Sequence, residues 1–199
     1  MKRHFTFVGL LALLPWLIAS VTTDSIPDPR LWEIDVDHSS VNFTATHFFI
    51  PVEGRFEVIT GMVGFDPENL TESFVDIRIP ISSVNTSDSK RDKHLLSRDF
   101  FNARKWPRMT FTGTEFKRTS ENEYVVQGEL TIRDQKKEVE LPFTFLGMKT
   151  LDDGSTVSGI QLKHTITRTD YGIGKGSWAK DAVLGEEVDV EINLELRSR

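Results

Sequence analysis

Residues 187 to 196, read Glu-Val-Asp-Val-Glu-Ile-Asn-Leu-Glu-Leu, alternate polar and apolar side chains without interruption. Successive residues of an extended strand point to opposite faces. This period of two therefore predicts one wet face and one apolar face, the latter carrying Val188, Val190, Ile192, Leu194 and Leu196. The pattern recurs along the chain. Tyr124, Val126, Gly128, Leu130 and Ile132 form one row, and Val139, Leu141, Phe143 and Phe145 form another. Ile160, Leu162, His164 and Ile166 make a third row, and Val41, Phe43, Ala45 and His47 a fourth. Segments wet on one side only argue for antiparallel, all-β structure.

About eight strands are predicted, at roughly 31 to 37, 40 to 48, 53 to 66, 72 to 81, 108 to 118, 123 to 133, 136 to 147 and 157 to 168, with 186 to 197 as a ninth. One stretch breaks the rhythm. Ser87-Asp88-Ser89 offers N-cap residues, and one short helix of about nine residues is predicted near 89 to 97. Leu95, Leu96, Phe100 and Phe101 beside it could cover a barrel end. Without a layer of helices, the apolar faces must meet in two packed sheets or in one sheet closed on itself. A closed barrel of this size is either filled by its own side chains or holds one small ligand. The rows alone leave both readings open.

The N-terminus adds a location. Basic Met1-Lys2-Arg3-His4 precedes an apolar run from Phe5 to Ile18 that is interrupted by Pro15. This is the layout of a signal peptide at 1 to 20. An uncleaved anchor is the weaker alternative because the run is short for a bilayer. Residues 21 to 30, with Pro27 and Pro29, read as a leader, and 31 to 199 as a single domain. The expected location is the periplasm or the outside of the cell. The chain has no cysteine, which excludes a thiol enzyme and a lipid-anchored lipoprotein. Its formal charge is -6, and loss of Lys2 and Arg3 takes it to -8. That balance disfavours nucleic acid as a partner.

Candidate chemistry is sparse. His38, His47, His94 and His164 are four of the five histidines, and three imidazoles could hold zinc. No cysteine or His-x-His pair supports a metal site, so none is expected. Arg91 and Asp92 with His94, and Arg168 with Asp170, read either as acid/base groups or as ion pairs and caps at a barrel end. The second reading is the stronger one, and it leaves them free to meet a polar ligand head at a barrel mouth. No nucleophile has an adjacent base, because Ser39 and His38 as strand neighbours face opposite sides. An enzyme is therefore not expected. The glycine-rich loop at 170 to 185, with Trp178 inside it, is long enough to matter.

Several motifs occur in order along the chain. They are Trp32-Glu33-Ile34-Asp35, His38-Ser39-Ser40-Val41-Asn42-Phe43, His47, Val52-Glu53-Gly54-Arg55-Phe56, Arg91-Asp92-Lys93-His94-Leu95 and Asp99-Phe100-Phe101. Pro107-Arg108-Met109-Thr110-Phe111, Gly128-Glu129-Leu130-Thr131-Ile132 and Arg168-Thr169-Asp170-Tyr171-Gly172 follow. In these the chain resembles the YceI-like proteins. The resemblance implies an exported, lipocalin-like β-barrel that binds a polyisoprenoid lipid, such as a polyprenyl chain or a prenylated quinone, without metal or cofactor. A dry tunnel would need an apolar wall. The wall candidates on the early strands are Val41, Phe43, His47, Phe56, Ile77 and Ile79. Those on the later strands are Met109, Phe111, Val126, Leu130, Leu141, Phe143, Ile160, Leu162 and His164. At about 0.8 kcal/mol per buried CH₂, each five-carbon unit would supply roughly 3 to 4 kcal/mol of gross transfer energy, so the tail would dominate affinity. An enzyme acting on such a lipid and a filled-core interaction module are the alternatives. Transient membrane contact and pairing of barrel edges in a homodimer are further expectations.

Overall fold

The computed structural model describes residues 30–179 and 183–198. The predicted signal peptide, and the leader up to residue 29, lie outside the described residues. Ten strands follow one another: β1 (Leu31–His47), β2 (Ile50–Phe56), β3 (Thr60–Gly64), β4 (Phe74–Pro80), β5 (Val84–Asn85), β6 (Arg108–Arg118), β7 (Glu123–Ile132), β8 (Gln135–Thr150), β9 (Thr156–Thr167) and β10 (Leu184–Ser198). One α-helix, α1 (Ser89–Leu95), lies between β5 and β6. All the pairings are antiparallel, and β10 returns to pair with β1, so the sheet is a closed barrel. β1 pairs with β2 along its later half and with β3 along its start, while β5 extends β4 in the same way on the other side. The ten segments therefore make eight staves.

Boundaries differ from the sequence-based expectation at several points, including β5, which was not expected, and β8, which runs on to Thr150. The strands predicted at 31 to 37 and 40 to 48 are one strand, bent by a register shift between Asp35 and Ser40. There the Asp35 carboxylate accepts the backbone N–H groups of Asp37 and His38, which takes up donors that the ladder loses. The strand predicted at 53 to 66 starts at Ile50 and breaks after Phe56. The helix is seven residues rather than nine, started by the Asp88 carboxylate accepting from the N–H groups of Lys90 and Arg91.

The interior is divided along the barrel axis. At the end where β3 finishes and β7 begins, Phe65 is 1 % exposed and its ring lies 5.3 to 5.7 Å from the rings of Phe116, Tyr124, Phe143 and Phe145. The Trp32 indole N–H donates to the Phe65 carbonyl at 2.8 Å, and Leu196 is fully buried nearby in sheet order. Aromatic edges and faces pack against one another at this end. The connections at 48–49, 86–107 and 133–134 and the described part of the late loop, 168–179, gather at the other end, where the strands alone leave the barrel open.

Candidate functional site

Above the aromatic floor the barrel holds a cavity of about 620 Å³. Well-packed cores leave few voids larger than a water molecule, and an apolar cavity of ~150 Å³ already accepts a benzene-sized guest. This interior therefore does not match a filled-core module. Its wall is almost wholly aliphatic and aromatic because inward positions on every stave alternate with outward polar ones.

All fifteen residues predicted for the wall lie on it. Val41, Phe43 and His47 project from β1, Phe56 from β2, and Ile77 and Ile79 from β4. Met109 and Phe111 come from β6, Val126 and Leu130 from β7, Leu141 and Phe143 from β8, and Ile160, Leu162 and His164 from β9. The register sets their levels: Phe143 lies opposite Leu162, Leu162 opposite Ile192, and His164 opposite Val190, which faces Phe43 in turn. Wall residues that sequence reasoning missed lie at both ends, with Val63, Phe65 and Phe116 bordering the aromatic floor. At the capped end, Ile173, Trp178 and Leu184 face the cavity from the late loop and the first residue of β10, where no period of two marks them.

The cap is built from two segments. Leu95 at the end of α1, and Phe100 and Phe101 after it, close over the cavity, with the Phe101 ring 5.9 Å from that of Phe56. Trp178 packs its ring 5.2 Å from His94 and 5.7 Å from Phe100, which joins the late loop to the helix. His94 also lies 3.6 Å from the Asp99 carboxylate. Exposed Asp88, Lys90 and Arg91 mark the rim.

The polar residues predicted for the mouth divide. Arg91 and His94 border the cavity, whereas Asp92 and Asp170 are not on its wall. Arg91 Nε donates to the Thr86 hydroxyl at 2.8 Å, and that hydroxyl donates to Asp92 at 2.6 Å. Asp92 is thus committed to holding buried Thr86, whose backbone N–H it also accepts. Asp170 does not pair with Arg168. It takes the Lys137 ammonium at 2.7 Å on the outer surface.

Arg168 borders the cavity but is 3 % exposed, and its guanidinium works inward on the late loop. It donates to five carbonyl oxygens: Gly185 at 2.7 Å, Ile173 at 3.0 Å, Gly174 at 2.9 Å, Trp178 at 2.9 Å and Leu184 at 2.7 Å. Gly174 must be bare for this, since a Cβ there would lie 2.7 Å from a guanidinium nitrogen. The predicted role of Arg168 as a donor to a ligand head is therefore corrected to that of a loop staple, because its donors are spent on carbonyls.

Among the described residues, Asp35, His38 and Glu195 form a group with metal-ligating atoms, on the outside of the barrel. Arg197 Nε already lies 2.7 Å from the Asp35 carboxylate, so a cation is in place there. Within the cavity, desolvation by its apolar surroundings pushes the His164 imidazole below its ordinary value of 6.5. The fold then favours neutral His164, so its contribution to stability is complete above the unfolded value and declines as pH falls through 6.5 towards the lowered folded value. His164→Leu is expected to flatten the loss of thermal stability on acidification from neutral pH. Parallel melts of the two proteins across that range check it, and an unchanged slope would contradict the neutral assignment.

A family model described as a YceI-like domain matches residues 32–196. A UPF0312 protein of Vibrio cholerae is 29% identical over 198 residues, covering 98% of each chain. Among solved structures, Burkholderia cenocepacia BcnA superposes with a TM-score of 0.76 at 23% identity, covering 84% of this chain and 100% of that one. A polyisoprenoid binding domain from Saccharophagus degradans, implicated in plant cell wall breakdown, superposes with a TM-score of 0.65 at 16% identity, covering 84% and 98%. Both likenesses show the barrel fold.

Proposed function

The chain belongs to the YceI-like family, and from that premise we propose that it binds one polyisoprenoid-type lipid, a polyprenyl chain or a prenylated quinone, inside the barrel. Binding is non-covalent and uses no metal or cofactor. The protein shields or carries the lipid through an aqueous compartment, the periplasm or the medium, after export. The observation that carries this reading is the 620 Å³ apolar cavity, closed below by aromatic rings and bordered above by a polar rim. A branched hydrocarbon tail fits such a wall, because each buried methylene adds about 0.8 kcal/mol and no wall group needs a hydrogen bond from the tail. The Saccharophagus domain with the same fold is named for a ligand of this class, which supports the choice.

The test is native mass spectrometry of protein purified from its exported compartment without detergent, followed by organic extraction. A stoichiometric isoprenoid lipid is the expected adduct. A mass that stays bare after incubation with polyprenols and prenylated quinones would overturn the proposal.

A further inference from the structure

Two residues, Phe48 and Phe49, form the turn between β1 and β2 at the capped end of the barrel. Two-residue hairpin turns favour glycine, asparagine and aspartate, because at least one residue must take a positive φ. Here Phe48 takes it, at 54°, a conformation that is costly for a bulky side chain. The turn is fixed in place all the same: Phe48 N–H donates to the Val183 carbonyl at 2.9 Å, and the Phe48 ring stands edge-on to His47, 4.7 Å away. The cost yields nothing in the core. Phe48 is 53% exposed, Phe49 92% and Ile50 66%, so three large apolar side chains in a row are held out in water.

Their surroundings name a partner. His47 and Val52, on either side of the tip, both border the cavity, so the apolar surface of the turn runs on from the cavity rim. The connection that shares this end, residues 86–107, together with Arg108 at the start of β6, carries Lys90, Arg91, Lys93, Arg98, Arg104, Lys105 and Arg108 against only Asp88, Asp92 and Asp99. All seven of these basic residues are exposed. The chain as a whole has net charge -6, so a locally cationic end is a departure from its general balance. Bulky apolar side chains beside a basic segment are what an anionic lipid surface attracts, through insertion and through charge.

We propose that the Phe48-Phe49-Ile50 turn is a membrane-inserting tip, which docks the barrel mouth on an anionic bilayer so that a lipid tail passes between bilayer and cavity without crossing water. The inference rests on the lipid-carrier reading above. It adds the surface by which lipid is collected or delivered.

The experiment is flotation of the exported form with vesicles of phosphatidylethanolamine and phosphatidylglycerol, compared with Phe49→Ser. Lipid capture is measured separately by adding polyprenol from a small volume of organic solvent, with no vesicles present. The wild-type protein is expected to float with the vesicles and to detach as salt is raised. Phe49→Ser is expected to lower partitioning by roughly tenfold or more, while its melting temperature and capture of added polyprenol stay unchanged. Equal flotation of the two proteins, or none by either, would overturn the tip. So would a concentration-dependent dimer in sedimentation that Phe49→Ser dissolves without any vesicle binding. The two readings fail separately. Capture without flotation removes the tip and leaves the carrier, whereas tip-dependent flotation without capture removes the carrier and leaves a membrane-docking surface.

Discussion

Leu162→Asp is expected to lower affinity for an isoprenoid chain by at least about a hundredfold while the barrel remains folded. Leu162 lies on β9 between Phe143 and Ile192 and faces the cavity half-buried rather than packed on all sides. With the cavity unoccupied by lipid, water can reach an introduced carboxylate there. Once a tail enters, that carboxylate must lose its water beside apolar side chains and His164, which burial keeps neutral, at a cost of several kcal/mol. The loss therefore falls on the complex and much less on the free protein. Phe143→Asp separates the two effects from the other side. Phe143 is 3 % exposed and stacks on Tyr124 with ring centres 5.4 Å apart, so a charge there should prevent folding itself. Titration with a fluorescent polyprenol analogue, alongside thermal melts, reads both variants. Undiminished binding by folded Leu162→Asp would remove this wall position from the ligand path.

Arg168→Met is expected to destabilise the protein by about 3 to 5 kcal/mol, with the late loop released first. Five carbonyl oxygens lose their donor, and those of Ile173 and Gly174 are buried where water cannot readily replace it. Each orphaned buried group costs about 1 to 3 kcal/mol, though the part-buried ones will recover some of that from solvent. Arg168→Lys should rescue little, because an ammonium offers three donors from one point and cannot span carbonyls spread over residues 173 to 185. Urea midpoints give the stability change, and limited proteolysis within 170–185 shows where the fold opens. A midpoint within error of wild type would mean that the loop holds without its staple.

The wall of the cavity was legible because a barrel interior obeys the simplest rule a sequence can carry. Phe43, Leu130 and Leu162 were placed by alternation alone, and the closed sheet turned every such row the same way. The bend in β1 was visible only as a gap at His38-Ser39, and a gap reads equally well as a turn or as a bulge. Arg168 was misread for a different reason. Asp170 stands two residues away and suggests an ion pair, whereas the actual acceptors are backbone carbonyls, which have no signature in side-chain order. Trp178 and Ile173 lie on irregular chain held by that arginine, so their approach to the cavity depended on a contact that no periodicity reveals.

The packed rings of Phe65, Tyr124, Phe143 and Phe145 make the barrel a bottle with one neck. On the proposed reading a tail would go in first and come out last, so entry and departure would be the same journey run in opposite directions. Nothing can be threaded through from one membrane to another. On the carrier reading proposed above, a molecule built this way would be a ferry that turns around between calls rather than a conduit.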